Sequence, residues 1–126
     1  MVFFILTDGI YSIMQDPKQQ EIFKKFKEGI FPYVIKSDVL KGRPYIKDIE
    51  VLDEFHVNNH TGKIYPLFVA KLNMDRLYDM HPYMVDTRRL QETIVRVIQE
   101  GLNKFYPTND FNLLAANVTL ERVYSS

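Results

Sequence analysis

Apolar and polar positions alternate most clearly over residues 48–57, which read Asp, Ile, Glu, Val, Leu, Asp, Glu, Phe, His, Val. Ile49, Val51, Phe55 and Val57 share one face, and Asp48, Glu50, Glu54 and His56 share the other. Leu52 and Asp53 break the pattern. A period of two marks a half-buried strand. Residues 58–62 are turn formers, Asn-Asn-His-Thr-Gly. Residues 64–74 alternate again: Ile64, Phe68, Ala70, Leu72 and Met74 lie on one face, and Tyr65, Leu67 and Val69 on the other. The pattern predicts a hairpin whose second strand is buried on both sides at its middle. Pro66 has no N–H for a ladder, which predicts a sheet edge there.

Helical spacing dominates elsewhere. Leu90, Ile94, Val97, Ile98, Leu102 and Phe105 form a stripe that predicts a helix over 87–105. Asp86 is its N-cap, Val85 and Leu90 form a hydrophobic staple across the cap, Gly101 is a tolerated weak point, and Pro107 is the stop. Ile22, Phe23, Phe26 and Ile30 predict a second helix over 17–29, opened by Asp16-Pro17 with Gln19 in a capping box and closed by Gly29. Residues 2–15 fit either a strand or a helix. The spacing of Leu6, Ile10, Ile13 and Met14 favours the helix, with Gly9 as its weak point. Pro32 and Pro44 predict an extended connection over 31–44, with an exposed turn at residues 41–44. Residues 75–85, with Asp75, Asp79, His81 and Pro82, read as irregular. A last strand is predicted over 113–124, with Leu114, Ala116, Val118 and Leu120 on one face.

The resulting order is helix-helix-strand-strand-helix-strand. A helical stripe needs an apolar sheet face to cover it, so the prediction is an α+β fold, a small antiparallel sheet with helices packed on one face. At 126 residues the chain is one domain, spanning 1–126, and its 46% hydrophobic content supports a sizeable core.

Charge narrows the function classes. Lys plus Arg is 16 and Asp plus Glu is 16, whereas proteins that contact many phosphates are usually basic. The absence of Cys removes disulfides, thiolate metal sites and Cys nucleophiles. Residues 1–6 form the longest apolar run, too short for a membrane span and without the flanks of a signal peptide. A soluble protein made in the cytoplasm is expected.

The search for chemistry returns little. His56 and His60 flank the hairpin loop four apart, a spacing that would converge on a metal only on a helix. A nuclease arrangement would use Asp53 and Lys71, but Val69 stands where a carboxylate is needed. The four Ser lie in no nucleophile elbow, and there is no phosphate-cradling Gly run. No enzyme, metal or cofactor is expected. Tyr33, Tyr45, Tyr78, Tyr83 and Tyr106 fall near element ends, where aromatics serve interfaces, base stacking or ordinary packing.

Leu6-Thr7-Asp8-Gly9-Ile10-Tyr11-Ser12-Ile13-Met14 leads into Asp16-Pro17 and a helical piece, followed by Gly29-Ile30-Phe31-Pro32. Arg43-Pro44-Tyr45-Ile46 then opens a hairpin that ends at Asn73-Met74-Asp75-Arg76, before the long helix and a last strand. In this order and punctuation the chain resembles the tail-completion proteins (tail terminators or head–tail joining proteins) of long-tailed bacteriophages. Residues 77–85 have no place in that pattern. The resemblance implies a non-enzymatic virion structural protein of the neck, made in the bacterial host cytoplasm. It implies a ring, typically a hexamer, that caps the tail tube and docks the head connector. The implied partners are other copies of the chain, the tail-tube protein and the head-connector protein. No small-molecule substrate or membrane is implied, and nucleic acid only as it passes through the ring.

The residues themselves suggest where subunits meet. The basic turn with Lys41 and Arg43 and the acidic face of Asp48, Glu50 and Glu54 are candidate partners across neighbouring subunits. Arg88 and Arg89 sit in the first turn of the long helix, where the helix dipole disfavours cations, so an acidic patch on a neighbour is a candidate partner. The competing reading is a small regulatory or nucleic-acid-binding module that uses Lys24, Lys25, Lys27, Lys41 and Arg43 as its patch.

Overall fold

The computed structural model describes residues 4–5, 10–12, 17–58, 60–83, 86–106 and 110–124. Among them, β1 (Phe4–Ile5), β2 (Ile10–Ser12), β3 (Ile46–Asn58), β4 (Ile64–Asn73) and β5 (Val118–Val123) form one five-stranded sheet in sequence order. The helices are α1 (Pro17–Lys25), a π-helical segment (Phe26–Ile35), α2 (Lys36–Leu40), α3 (Met74–Met80) and α4 (Thr87–Phe105). The fold class is α+β, with the helices on one face of the sheet.

The hairpin forms where alternation placed it. Ile49, Phe55 and Val57 of β3 and Ile64, Phe68, Ala70 and Leu72 of β4 turn into the core. The Asn58 side chain accepts from the N–H groups of His60 and Thr61, at 2.9 and 3.1 Å, and Gly62 closes the loop at φ +75°. That left-handed conformation favours glycine. The anomaly at Leu52 and Asp53 has a structural counterpart: the β3–β4 register slips between Val51 and Phe55, and the Asp53 side chain is 87% exposed. A bulge of this kind lets an acidic residue leave an apolar face.

Pro66 is not on an edge strand. It sits in β4, the strand flanked by β3 and β5, opposite Phe55 where the register has slipped. On the other side of β4, Ile64 bonds to residues 110–112 and the ladder with β5 resumes at Phe68, so Pro66 falls in a gap. Irregular pairing on both sides relieves the demand for its missing N–H.

The sheet is mixed rather than antiparallel, because β5 runs parallel to β4. Parallel neighbours need a long crossover, and α3 and α4 supply it. The last strand starts at Val118, later than the alternation predicted. Residues 115–117 form a 3-10 turn in which the buried Asn117 side chain accepts from the Leu114 N–H at 2.8 Å.

Three further expectations are corrected. Phe4–Ile5 and Ile10–Ser12 are paired strands, not part of a helix, and β2 adds to the end of β3 at Val57 and Asn58. The rest of that predicted helix, Asp16 as a cap, Val85 in the staple and Pro107 as a stop lie outside the described residues. The second helix does not stop at Gly29 but continues to Leu40. Pro32 in an α-helix would clash with the carbonyl four residues back. Here the helix widens, so that the Lys36 N–H bonds to the Phe31 carbonyl five residues back. The buried set Phe23, Phe26, Phe31, Ile35 and Val39 keeps one face through this change because it takes a step of five at Phe31. Residues 75–80 are helical, not irregular: the Asn73 side chain caps α3 by accepting from the Arg76 N–H at 3.1 Å, and Met74 and Leu77 are buried.

The helix over 87–105 forms as predicted, except that Phe105, the last residue of the predicted stripe, is exposed because the helix end runs past the core. The Asp86 carboxylate accepts from the Arg88 N–H at 3.0 Å, and Leu90, Ile94, Ile98 and Leu102 are buried. Between helices and sheet, Phe26 packs against Phe23, Phe31, Phe68 and Phe111, with ring centroids 6.3, 5.7, 6.2 and 5.0 Å away.

Candidate functional site

The acidic face of β3 meets lysines of its own chain. Lys36 in α2 pairs with Asp48 at 2.7 Å, and Lys27 in the π-helical segment pairs with Asp53. Lys27 and Lys36 are nine apart on the widened helix, and both lie over the margin of β3. On the sheet face away from the helices, Lys71 of β4 pairs with Glu50 at 3.3 Å. The register places Lys71 between Asp48 of β3 and Glu121 of β5.

This arrangement sets the protonation behaviour. Burial pushes the Asp48 carboxyl upward. The Lys36 ammonium, the Ile49 N–H at 2.8 Å and the charge of Lys71 outweigh it and hold Asp48 below the ordinary carboxylate value. The hydrogen bond and charge of Glu50 raise Lys71 above its ordinary value. Burial and the charge of Asp110 raise the Tyr106 phenol.

The candidate interface residues divide. Asp48 and Glu50 are engaged in these pairs, and Glu54 is exposed. Arg43 folds back on α2 and donates to the Val39, Lys41 and Asp38 carbonyls at 3.3, 3.3 and 3.5 Å, capping the negative end of the helix. Lys41 is exposed beside Gly42, whose φ is +72°. Arg88 and Arg89 are exposed at the start of α4, and Arg89 lines a groove of ≈ 320 Å³ with Met80, His81, Pro82 and Tyr83. Within the described residues the structure does not join the Lys41–Arg43 turn to the acidic strand. The partners it supplies, Lys27, Lys36 and Lys71, were not legible as such, because each lies on a different element from its carboxylate.

Three members of the proposed basic patch have partners within the chain. Lys25 pairs with Glu21 at 3.1 Å, Lys27 with Asp53, and Arg43 with helix carbonyls. The histidines are separated: His56 is half-buried on β3, His60 is exposed in the loop, and His81 meets the Tyr45 ring edge-on at 5.5 Å. Among the described residues no three of His, Asp and Glu converge as metal ligands. Of the tyrosines expected near element ends, Tyr33 lies instead inside the continued helix and is 80% exposed, Tyr83 is 94% exposed, and Tyr45 is buried. No described helix is long and apolar enough to cross a membrane. No family model, no curated protein and no solved structure matches this chain.

Proposed function

We propose that this chain is a non-enzymatic subunit of a ring, of the kind that terminates a phage tail tube and joins it to the head connector. The supporting observation is a sheet that, among the described residues, is covered by helices on one face only. On the other face the exposed Glu50, Thr119 and Glu121 surround half-buried Val69 and Lys71. A face of paired charges sets the register of a neighbour more than it adds affinity. The order of elements from residue 17 onward, apart from the added α3, is the one on which the resemblance rests. The ring is proposed as a hexamer in the virion, with the tail-tube and connector proteins as its partners.

Native mass spectrometry over a concentration series, with and without a tail-tube protein, tests this reading, with electron microscopy of the tubes. Rings that cap the tubes and limit their length are expected. A chain with no affinity for tube or connector protein at any concentration overturns the proposal. The regulatory or nucleic-acid-binding alternative would then be examined by salt titration of DNA binding, where phosphate contacts give a steep slope.

A further inference from the structure

The two outer margins of the β3–β4–β5 ladder are treated very differently. On β3, the Ile49 N–H points away from the ladder and is occupied by the Asp48 carboxylate, which Lys36 holds in turn. Lys27 reaches Asp53 further along, the register slip follows, and β2 covers Val57 and Asn58. Bulges, charged side chains and short covering strands are the devices by which proteins blunt an exposed edge.

On β5 such devices stop at its first residue. Ile64 of β4 bonds through its N–H and C=O to Asp110 and Asn112, the residues flanking its partner Phe111. By the two-residue alternation of a strand, Phe68, Ala70 and Leu72 bond in the same way to residues flanking Val118, Leu120 and Arg122. Val118, Leu120 and Arg122 therefore turn their own N–H and C=O groups outward. The Val118 carbonyl accepts from the Gln91 side chain at 2.8 Å. Among the described residues nothing pairs with the Leu120 and Arg122 backbone.

We propose that this edge of β5 pairs antiparallel with β5 of a second copy of the chain about a two-fold axis, so that the sheet runs continuously through both copies. The β5 sequence is self-complementary in one register. With Leu120 opposite the partner's Leu120, Val118 faces the partner's Arg122 and Thr119 faces the partner's Glu121. The outward N–H and C=O of Leu120 then meet those of the partner's Leu120, the Val118 N–H meets the partner's Arg122 carbonyl, and the Arg122 N–H shares the partner's Val118 carbonyl with the Gln91 side chain. Two neighbouring registers keep the same parity. The one centred on Glu121 sets it opposite the partner's Glu121, and like charges directly opposite are destabilising. The one centred on Thr119 sets Arg122 opposite the partner's Ala116, which lies in the 3-10 turn rather than in a strand. Charge and strand length together select the Leu120-centred pairing. The contact is isologous and closes at two copies, so it is separate from the head-to-tail contact of the proposed ring and does not depend on it.

Sedimentation velocity on the full chain over a concentration series up to the millimolar range tests the pairing, using two substitutions at the exposed Thr119. A reversible two-copy species is expected for the unsubstituted chain. Thr119→Glu sets two carboxylates opposite two others and is expected to weaken the dimer roughly tenfold. Thr119→Lys sets an ammonium opposite each Glu121 and is expected to tighten it. Unchanged circular dichroism and thermal midpoints show that both variants fold. A chain that stays monomeric throughout overturns the proposal, and so does a dimer that the two substitutions leave unchanged or shift in the same direction.

Discussion

Gly101 shows how one position is decided by its neighbour rather than by its own element. A Cβ added there would lie 3.1 Å from Cγ1 of Ile35, which is itself fully buried. The glycine lets α4 approach the widened helix closely. Alanine would improve helix propensity by about 1 kcal/mol, but overpacking a core contact costs about 1–3 kcal/mol. Gly101→Ala is therefore expected to destabilise by about 1 kcal/mol, measured by urea denaturation, and a gain in stability would show that Ile35 moves aside. Asp48 carries a pH signature. Its carboxyl lies below the ordinary value in the folded chain, so its contribution is present above the unfolded value and is lost as pH falls through the folded value. Asp48→Asn is expected to flatten stability in the acid range below about pH 4 while leaving its slope at neutral pH unchanged, as read from thermal midpoints against pH.

At the scale of elements, the fold hangs on the aromatic contact between the long helical arm and the hairpin. Phe55 stacks on Phe23 at 4.4 Å, and Phe68 is fully buried against Phe26 and Phe31. Phe55→Ala and Phe68→Ala are each expected to lower unfolding free energy by about 3–5 kcal/mol. Losses below about 1 kcal/mol at both sites would contradict the observed strand register. The π-helical segment belongs to the same contact. Its step of five from Phe26 to Phe31 keeps both rings against Phe68 just ahead of Pro32, which a regular helix would not accommodate.

For the whole molecule the question is which surfaces meet other molecules. Arg88 and Arg89 stand exposed at the positive end of α4, and the local hydrogen bond there runs from the backbone of Arg88 to Asp86. Cations are disfavoured at that end, by about 0.3–1 kcal/mol. Reversing both to glutamate is expected to leave the thermal midpoint equal or slightly higher. It is also expected to weaken ring formation, read by native mass spectrometry. Unchanged assembly would mark the arginines as solvated surface.

Local patterns were sufficient where a local interaction is backed by a long enough apolar repeat. The β3–β4 hairpin, its Asn58–Gly62 turn and the Asp86-capped helix with its Leu90–Leu102 stripe were all legible from the sequence alone, since each rests on spacing or on groups a few residues apart. Asn73 was as clear a capping residue as Asp86, yet α3 was missed because its single turn of stripe, Met74 and Leu77, is too short to stand out. Other features depended on partners distant in sequence. Pro66 reads as an edge residue until the gaps in pairing on both sides of β4 are seen. Gly29 and Pro32 read as a helix end until the packed rings of Phe26 and Phe31 show why the helix widens instead. The pairing of Lys27, Lys36 and Lys71 with Asp53, Asp48 and Glu50 follows from which elements lie side by side. So does the choice of which strand edge is covered and which is left open among the described residues. Periodicity thus determined the β3–β4 hairpin, the long helix, the α+β class and the buried faces of those elements, because burial repeats with the geometry of a strand or helix. Only the tertiary structure decided strand order, the parallel placement of β5 and the identity of the open edge, because those depend on chain crossovers that no local spacing encodes.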